Sequence, residues 1–233
     1  MKKEAEVVRQ MFNAISATYD RVNATLSLGI DKRWRRHLLE KLPEGAALQV
    51  LDIATGTADQ LIALLEGCPQ IRKAVGVDIA EKMLSLGRRK LSQRALEERG
   101  ELFCADALEL PFEEASFDCT TITFGIRNVA DPLIALEQMH RVLRSKGRAL
   151  ILEFSLPPHP LIKRGYLFYL RHVLPKVGGF LSGHAPAYVY LNQTIEQFPC
   201  GEAFCTLMQE AGFSQATAYP FTFGIATLYV GEK

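Results

Sequence analysis

Three aspartates each close a short apolar run in this chain. Asp52 lies in Val50-Leu-Asp52-Ile-Ala-Thr-Gly56-Thr-Ala-Asp59, Asp78 ends Ala74-Val-Gly-Val-Asp78, and Asp106 follows Glu101-Leu-Phe-Cys-Ala. If the runs are strands of a parallel sheet, ligands sit at their carboxyl ends, where all three acids would gather. Gly56 would let backbone and ligand approach closely. The Asp-x-x-x-Gly pattern is not the Gly-x-Gly-x-x-Gly that cradles a dinucleotide pyrophosphate. A carboxylate at such a turn repels phosphate and favours a cation. Asp78 stands about twenty residues beyond the turn, where an acid accepts hydrogen bonds from both ribose hydroxyls. Asp106 would hold an adenine amino group, with Ala107 against the ring. Each acid alone could instead cap a helix or turn. Together they suit a nucleoside with a cationic far end, and the sulfonium and amino group of S-adenosylmethionine fit that description better than NAD.

Such acids need an alternating scaffold to hold them. Val7, Val8, Met11, Phe12 and Ile15 recur at helical spacing over 4–19, ending at Tyr19-Asp20. A second helix is expected from Asp31, as cap, to Lys41, stopped by Pro43-Glu44-Gly45. Strands are expected at 48–54, 74–78, 101–106, 117–124 and 147–154, with helices over 58–66, 80–92 and 131–143 between them. Strands that are nearly all apolar mean a parallel sheet covered on both faces. Residues 155–198 break the alternation with Pro157, Pro158, Pro160, Pro175, Pro186 and Gly178-Gly179, and are rich in aromatics. They read as a lid inserted over the ligand edge. A helix near 200–211 and strands at 215–220 and 225–231 follow, the last two as an antiparallel hairpin. The expected fold is α/β and Rossmann-like, with a seven-stranded, mostly parallel sheet. Its parts are an N-terminal helical cap (1–45), a cofactor-binding core (46–154), a substrate lid (155–198) and a completing helix and hairpin (199–233).

The 233 residues carry 27 Lys+Arg against 26 Asp+Glu, so the overall charge calls for no nucleic acid. Five cysteines without a Cys-x-x-Cys pair argue against a disulfide framework or a zinc site and for a reducing compartment. Met1-Lys2-Lys3-Glu4 opens without an apolar leader, and no uncharged apolar run is long enough to span a bilayer. A cytoplasmic protein is expected.

The quoted segments resemble the class I S-adenosylmethionine-dependent methyltransferases. Phe12-x-x-Ile-x-x-x-Tyr19-Asp20-x-x-Asn23, Thr121-Ile-Thr-Phe-Gly-Ile-Arg127-Asn128-Val, Leu152-Glu-Phe-Ser155 and Tyr188-x-Tyr-Leu-x-x-x-Ile195 resemble one branch, the quinone-biosynthesis C-methyltransferases. That resemblance, from about residue 9 to 230, implies a demethylmenaquinol or 2-polyprenyl-6-methoxy-1,4-benzoquinol acceptor; the alternative is a methyltransferase acting on another small or lipid acceptor, since the insertion sets the acceptor. It also implies that Thr57 touches the cofactor's methionine end, that Asp78 binds ribose, and that Asp106 and Ala107 contact adenine. Asp52, Gly56, Met83 and Thr123 complete the expected cofactor set; Thr123 keeps a hydroxyl where the family commonly has Ser. Three positions depart from the family: Ala58 stands for Gly, Arg144-Ser-Lys-Gly147 for Lys-Pro-Gly-Gly, and Val189 for an Arg expected to reach the headgroup.

Methyl transfer from a sulfonium is an in-line displacement that rests on positioning and on excluding water. A ring carbon becomes nucleophilic when a neighbouring quinol hydroxyl loses its proton, so the acceptor must be reduced. Arg127 and Asn128 follow the fourth strand and would stabilise the developing quinolate; Arg127 is too basic to act as a base itself. Its competing reading is an ion pair with Asp131 or Asp20. Tyr19 would reach over the site from the N-terminal helix, and His184 is a further base candidate. The lid's apolar and aromatic residues, among them Leu161, Tyr166 and Phe168, alternate with Lys163, Arg164, Arg171 and Lys176. This suits a peripheral contact with the inner face of a membrane, or else packing on the sheet or on a second subunit in a homodimer. Trp34, amid Lys32, Arg33, Arg35 and Arg36, would be an interfacial anchor or a core residue.

Overall fold

Leu48–Ile53 forms an interior strand, β1, in which four of six side chains are apolar and all but Gln49 are buried. Val50 enters a core on one face of the sheet, while Leu51 and Ile53 enter the core on the other. A computed structural model describes residues 2–27 and 29–233, with side chains from Ala5 onward, so Met1 and the side chains of Lys2, Lys3 and Glu4 at the expected leader-free start lie outside the described residues. The remaining strands are β2 (Ile71–Asp78), β3 (Gly100–Cys104), β4 (Phe117–Thr123), β5 (Leu143–Phe154), β6 (Gln215–Phe221) and β7 (Ala226–Glu232). Their order is β3-β2-β1-β4-β5-β7-β6. β7 runs antiparallel to both β5 and β6, so it is the one reversed strand and β6 points with the rest. The order reverses between β1 and β4, which opens a crevice at their carboxyl ends.

Ten α-helices accompany the sheet among the described residues: α1 (Lys2–Ile15), α2 (Tyr19–Leu26), α3 (Ile30–Arg36), α4 (Asp59–Gly67), α5 (Glu81–Gln93), α6 (Pro132–Val142), α7 (Pro160–Phe168), α8 (Leu174–Ser182), α9 (Ala185–Gln197) and α10 (Glu202–Glu210). α3, α4 and α5 cover one face; α6 and α10 cover the other. Asp131 caps α6 through the amides of Leu133 and Ile134, with Pro132 at its first turn. A third core joins α1, α2 and the lid through Ile15, Val22, Leu170, Leu174, Tyr188 and Ile195.

Two expectations fail near the N-terminus. The first helix stops at Ile15, where Ser16 and Thr18 hydroxyls bond back to the Asn13 and Ile15 carbonyls, and a separate α2 begins at Tyr19. Asp31 does not cap the next helix: Gly29, at φ 74°, precedes it, and Asp31 instead accepts a hydrogen bond from Ser27 Oγ at 2.7 Å. That helix also ends at Arg36, with a separate 3-10 turn at Leu39–Lys41.

Candidate active site

Two adjoining cavities occupy the crevice. The smaller is a cleft of about 80 Å³ walled by Gly56, Asp78, Met83, Asp106, Ala107 and Thr123, with Ala5, Val8 and Phe12 of α1 closing it. The larger is a chamber of about 580 Å³ between α2, α3 and the lid, within the size range of small-molecule sites. Phe12, Tyr19, Phe124 and Asn128 line both, so the cavities adjoin there, and a passage between them would run past these side chains.

The cleft is shaped by its backbone. Ala54 after β1 and Phe124 after β4 take positive φ values of 50° and 57°, a strained state for non-glycine residues that favours tight strand ends beside ligands. A Cβ on Gly125 would lie 2.7 Å from the Ala54 Cβ, so only glycine lets these two strand ends meet. Gly56, at φ 57°, would place a Cβ in open space, leaving bare backbone facing the cleft. The Asp78 carboxylate accepts from the Gly56 amide at 2.9 Å and the Ala80 amide at 2.8 Å. It thus braces the loop after β1 and the turn leading into α5 while still lining the cleft. Burial raises its pKa, and the amides of Ala80 and Gly56 oppose that rise. Asp106 accepts from the Leu108 amide at 3.0 Å, which turns its carboxylate into the cleft wall. The Thr123 hydroxyl is buried without a partner.

Two expected contacts do not reach the cleft. Asp52 is 1% exposed, and its carboxylate takes hydrogen bonds from Thr55 and Thr121 at 2.7 and 2.6 Å. It is an internal brace between β1 and β4. Thr57 is 2% exposed, and its hydroxyl sits between Asp20 and Lys90 at 2.6 and 2.9 Å. Lys90 also pairs with Asp20 and Asp59, fastening α2 to the loop after β1. A small apolar turn offers no spare volume for these side chains to swing outward.

Arg127 lies in the chamber, and its partner is neither Asp131 nor Asp20. Its guanidinium pairs with Glu153 at the end of β5 and donates to the Phe124 carbonyl at 2.7 Å. Glu153 has no solvent exposure and also accepts from the Phe154 amide at 2.8 Å. Burial raises its pKa and Arg127 opposes the rise. Tyr19 and Tyr166, both chamber residues, are likewise raised by burial and lowered by Arg127. His184 is exposed and lines neither cavity, so it is not placed to serve as a base. Trp34 is core and wall at once, 5% exposed, with Nε1 donating to Thr222 Oγ1 at 3.0 Å.

Two acids, Asp78 and Asp106, an open glycine and an orphaned hydroxyl around one cleft suit S-adenosylmethionine. The comparisons with known proteins agree. The ubiE/COQ5 methyltransferase family model matches residues 1–233. This chain belongs to the ubiE/COQ5 methyltransferase family. A relative from Geobacter sp. strain M21, named ubiquinone/menaquinone biosynthesis C-methyltransferase UbiE, is 42% identical over 100% of this chain and 99% of its own. A Thermus thermophilus relative named demethylmenaquinone methyltransferase is 44% identical over 96% of this chain and 100% of its own. Among solved structures, an S-adenosylmethionine-dependent methyltransferase from Thermotoga maritima superposes with a TM-score of 0.65 at 18% identity, covering 97% of this chain and 99% of its own. One from Methanococcus maripaludis gives 0.68 at 16% identity, covering 94% and 91%. Both share the fold.

Within this family, the departures at Ala58 and Val189 now have places. Ala58 holds φ 65° just before α4, where glycine would be unstrained; the left-handed state costs alanine about 1 kcal/mol. Val189 is 43% exposed and points away from the chamber that its neighbours Tyr188 and Tyr190 line. Sequence reasoning missed Glu153 as Arg127's partner, although Leu152-Glu-Phe-Ser155 had been noted. It also missed Arg35, which lines the chamber. A charged residue inside the apolar run 149–154 of β5 was the available signal for Glu153.

Proposed function

We propose that this chain transfers a methyl group from S-adenosylmethionine to a ring carbon of a prenylated quinol, of the demethylmenaquinol or 2-polyprenyl-6-methoxy-1,4-benzoquinol type. The observation that carries this reading is the shared wall between the acid-lined cleft and the apolar chamber. A donor in one and a ring in the other would meet at Tyr19, Phe124 and Asn128.

When bound, S-adenosylmethionine supplies an electrophilic methyl group on a cationic sulfur. Asp78 would accept the ribose hydroxyls, Asp106 and Ala107 would face adenine, and Thr123 offers its free hydroxyl. Gly56 contributes the close backbone. Asp52 and Thr57 support this set from beneath. On the acceptor side, Arg127 faces a phenolic hydroxyl whose free pKa would resemble tyrosine's, about 10. A buried guanidinium favours the ionised form, and the proton passes to water. Electron density would then move into the ring, the ring carbon–methyl bond would form as the methyl–sulfur bond breaks and leaves neutral S-adenosylhomocysteine, and loss of the ring proton to water would restore aromaticity. Glu153 keeps Arg127 aimed, and Asn128 and Tyr19 hold the ring's edge. Leu26, Ile162, Leu170, Leu174, Leu191 and Ile195 give the chamber an isoprenoid-compatible lining.

Outside the chamber, Leu161, Phe168 and Phe180 are 74%, 62% and 89% exposed, and Phe168 lies beside Lys163, Arg164 and Arg171. This face supports a peripheral contact with an anionic lipid surface, from which the long-tailed acceptor would be drawn. No helix among the described residues is long and apolar enough to cross a membrane. The reading is tested by incubating the protein with labelled S-adenosylmethionine and reduced, demethylated quinols, followed by mass analysis. Methylated ring product is expected. If the donor binds and no quinol gains label, the acceptor assignment fails; if NADH binds and the donor does not, the whole reading fails.

A further inference from the structure

Two guanidinium groups face the chamber. Arg127 comes from the end of β4, and Arg35 comes from α3. Phe124 and Phe154 stack at 4.4 Å between centroids, and each arginine lies over one of these rings, Arg35 at 5.4 Å from Phe124 and Arg127 at 5.3 Å from Phe154. Both arginines carry a buried Nε without a hydrogen-bond partner. The acid beside Arg35 is Asp31, but it stands 3.7 Å from Nε, too far for a hydrogen bond. Its carboxylate already accepts from Ser27 Oγ. Protein interiors seldom leave a charged N–H donor without an acceptor. The Nε atoms themselves are enclosed, but the rest of the Arg35 side chain is 16% exposed on the chamber wall with no hydrogen-bond acceptor among the described residues, which points to an acceptor that a ligand brings.

A quinol has two ring oxygens on opposite sides of the ring. We infer that Arg35 binds the acceptor's second oxygen, opposite the hydroxyl that Arg127 faces. Held at both ends, the ring presents one carbon to the side where the cavities adjoin and cannot turn about a single anchor. Arg35 is then a specificity-determining residue that separates a two-oxygen ring from a one-oxygen ring. This inference rests on the quinol-methylating reading of the chamber.

The test compares two acceptors: a short-chain demethylnaphthoquinol, and the matching naphthol that keeps only the hydroxyl beside the methylated carbon. The wild-type protein should favour the quinol in kcat/KM by about 10- to 100-fold, the worth of one charge-assisted hydrogen bond. Arg35→Gln should lose most of that preference, chiefly through KM, with S-adenosylmethionine affinity unchanged. Arg35→Lys, which keeps the charge but not the planar fork, should recover part of it. Trp34 is the sole tryptophan and lines the chamber, so quenching of its emission gives acceptor affinity without turnover; the quinol, not the naphthol, should weaken in Arg35→Gln. A purely structural arginine would lower thermal stability and affect both acceptors alike. Undiminished discrimination in folded Arg35→Gln, or equal weakening of both acceptors, overturns the Arg35 assignment while quinol methylation by the wild type stands. Absence of methylation of the quinol by the wild type overturns both.

Discussion

Arg127 and Glu153 cannot be treated separately. Their side chains are 6% and 0% exposed, so removing the arginine alone strands a buried carboxylate. Breaking such a pair costs about 3–5 kcal/mol. Arg127→Ala should therefore lose stability as well as turnover, and Arg127→Ala with Glu153→Gln should recover much of the stability without the turnover. Urea unfolding paired with steady-state rates reads both effects. Restored turnover in the double variant would show that Arg127 serves Glu153's burial rather than the reaction.

At the level of helices, the N-terminal segment and the lid build the chamber together. α1 closes the cleft with Ala5, Val8 and Phe12, while Asp20 on α2 is held by Thr57 and Lys90. A π-helical turn at Tyr169–Val173 separates α7 from α8 and places Tyr169 and Leu170 on the chamber wall; such turns often mark functional positions. The outer side of the same helices carries Leu161, Phe168 and Phe180. Replacing all three with serine should reduce partition onto anionic vesicles by about ten-fold or more, with methylation of a short-chain quinol in solution unchanged. Equal sedimentation with vesicles would reject a lipid role for this face. A concentration-dependent mass that the triple variant abolishes would assign it to a second copy of the chain.

For the molecule as a whole, Asp52 links the site to stability. Burial pushes its carboxyl up to about 6, against the pull of the Thr121 and Thr55 hydroxyls. An unfolded aspartate titrates near 4. Below that value both states are protonated, and between about 4 and 6 only the folded protein still holds the proton. Asp52 thus makes stability fall as pH rises through this window, by about 3 kcal/mol in total. Asp78 and Glu153 are also raised, in the same sense, so the Asp52 part is the difference between wild type and Asp52→Asn. Urea titrations at pH 4, 5, 6 and 7 should show a shallower decline for the variant. Parallel profiles would show that Asp52 ionises in the fold as it does in the unfolded chain.

The strand–helix alternation was written in the chain itself, because buried parallel strands must be nearly all apolar and their turns must carry glycine or a cap. The aspartates at the end of β2 and just after β3, and the closing hairpin, were legible for the same reason. Which side chains face the ligand was not. Asp52 and Thr57 lie at the expected turn, yet their hydrogen bonds are to Thr55, Thr121, Asp20 and Lys90, partners that no local pattern names. Pairing Arg127 with Glu153 joins residues 26 positions apart on neighbouring elements, and setting Arg35 over Phe124 brings α3 to the end of β4. Periodicity reports whether a side chain is buried, but not which distant group shares its cavity; that choice was left to packing.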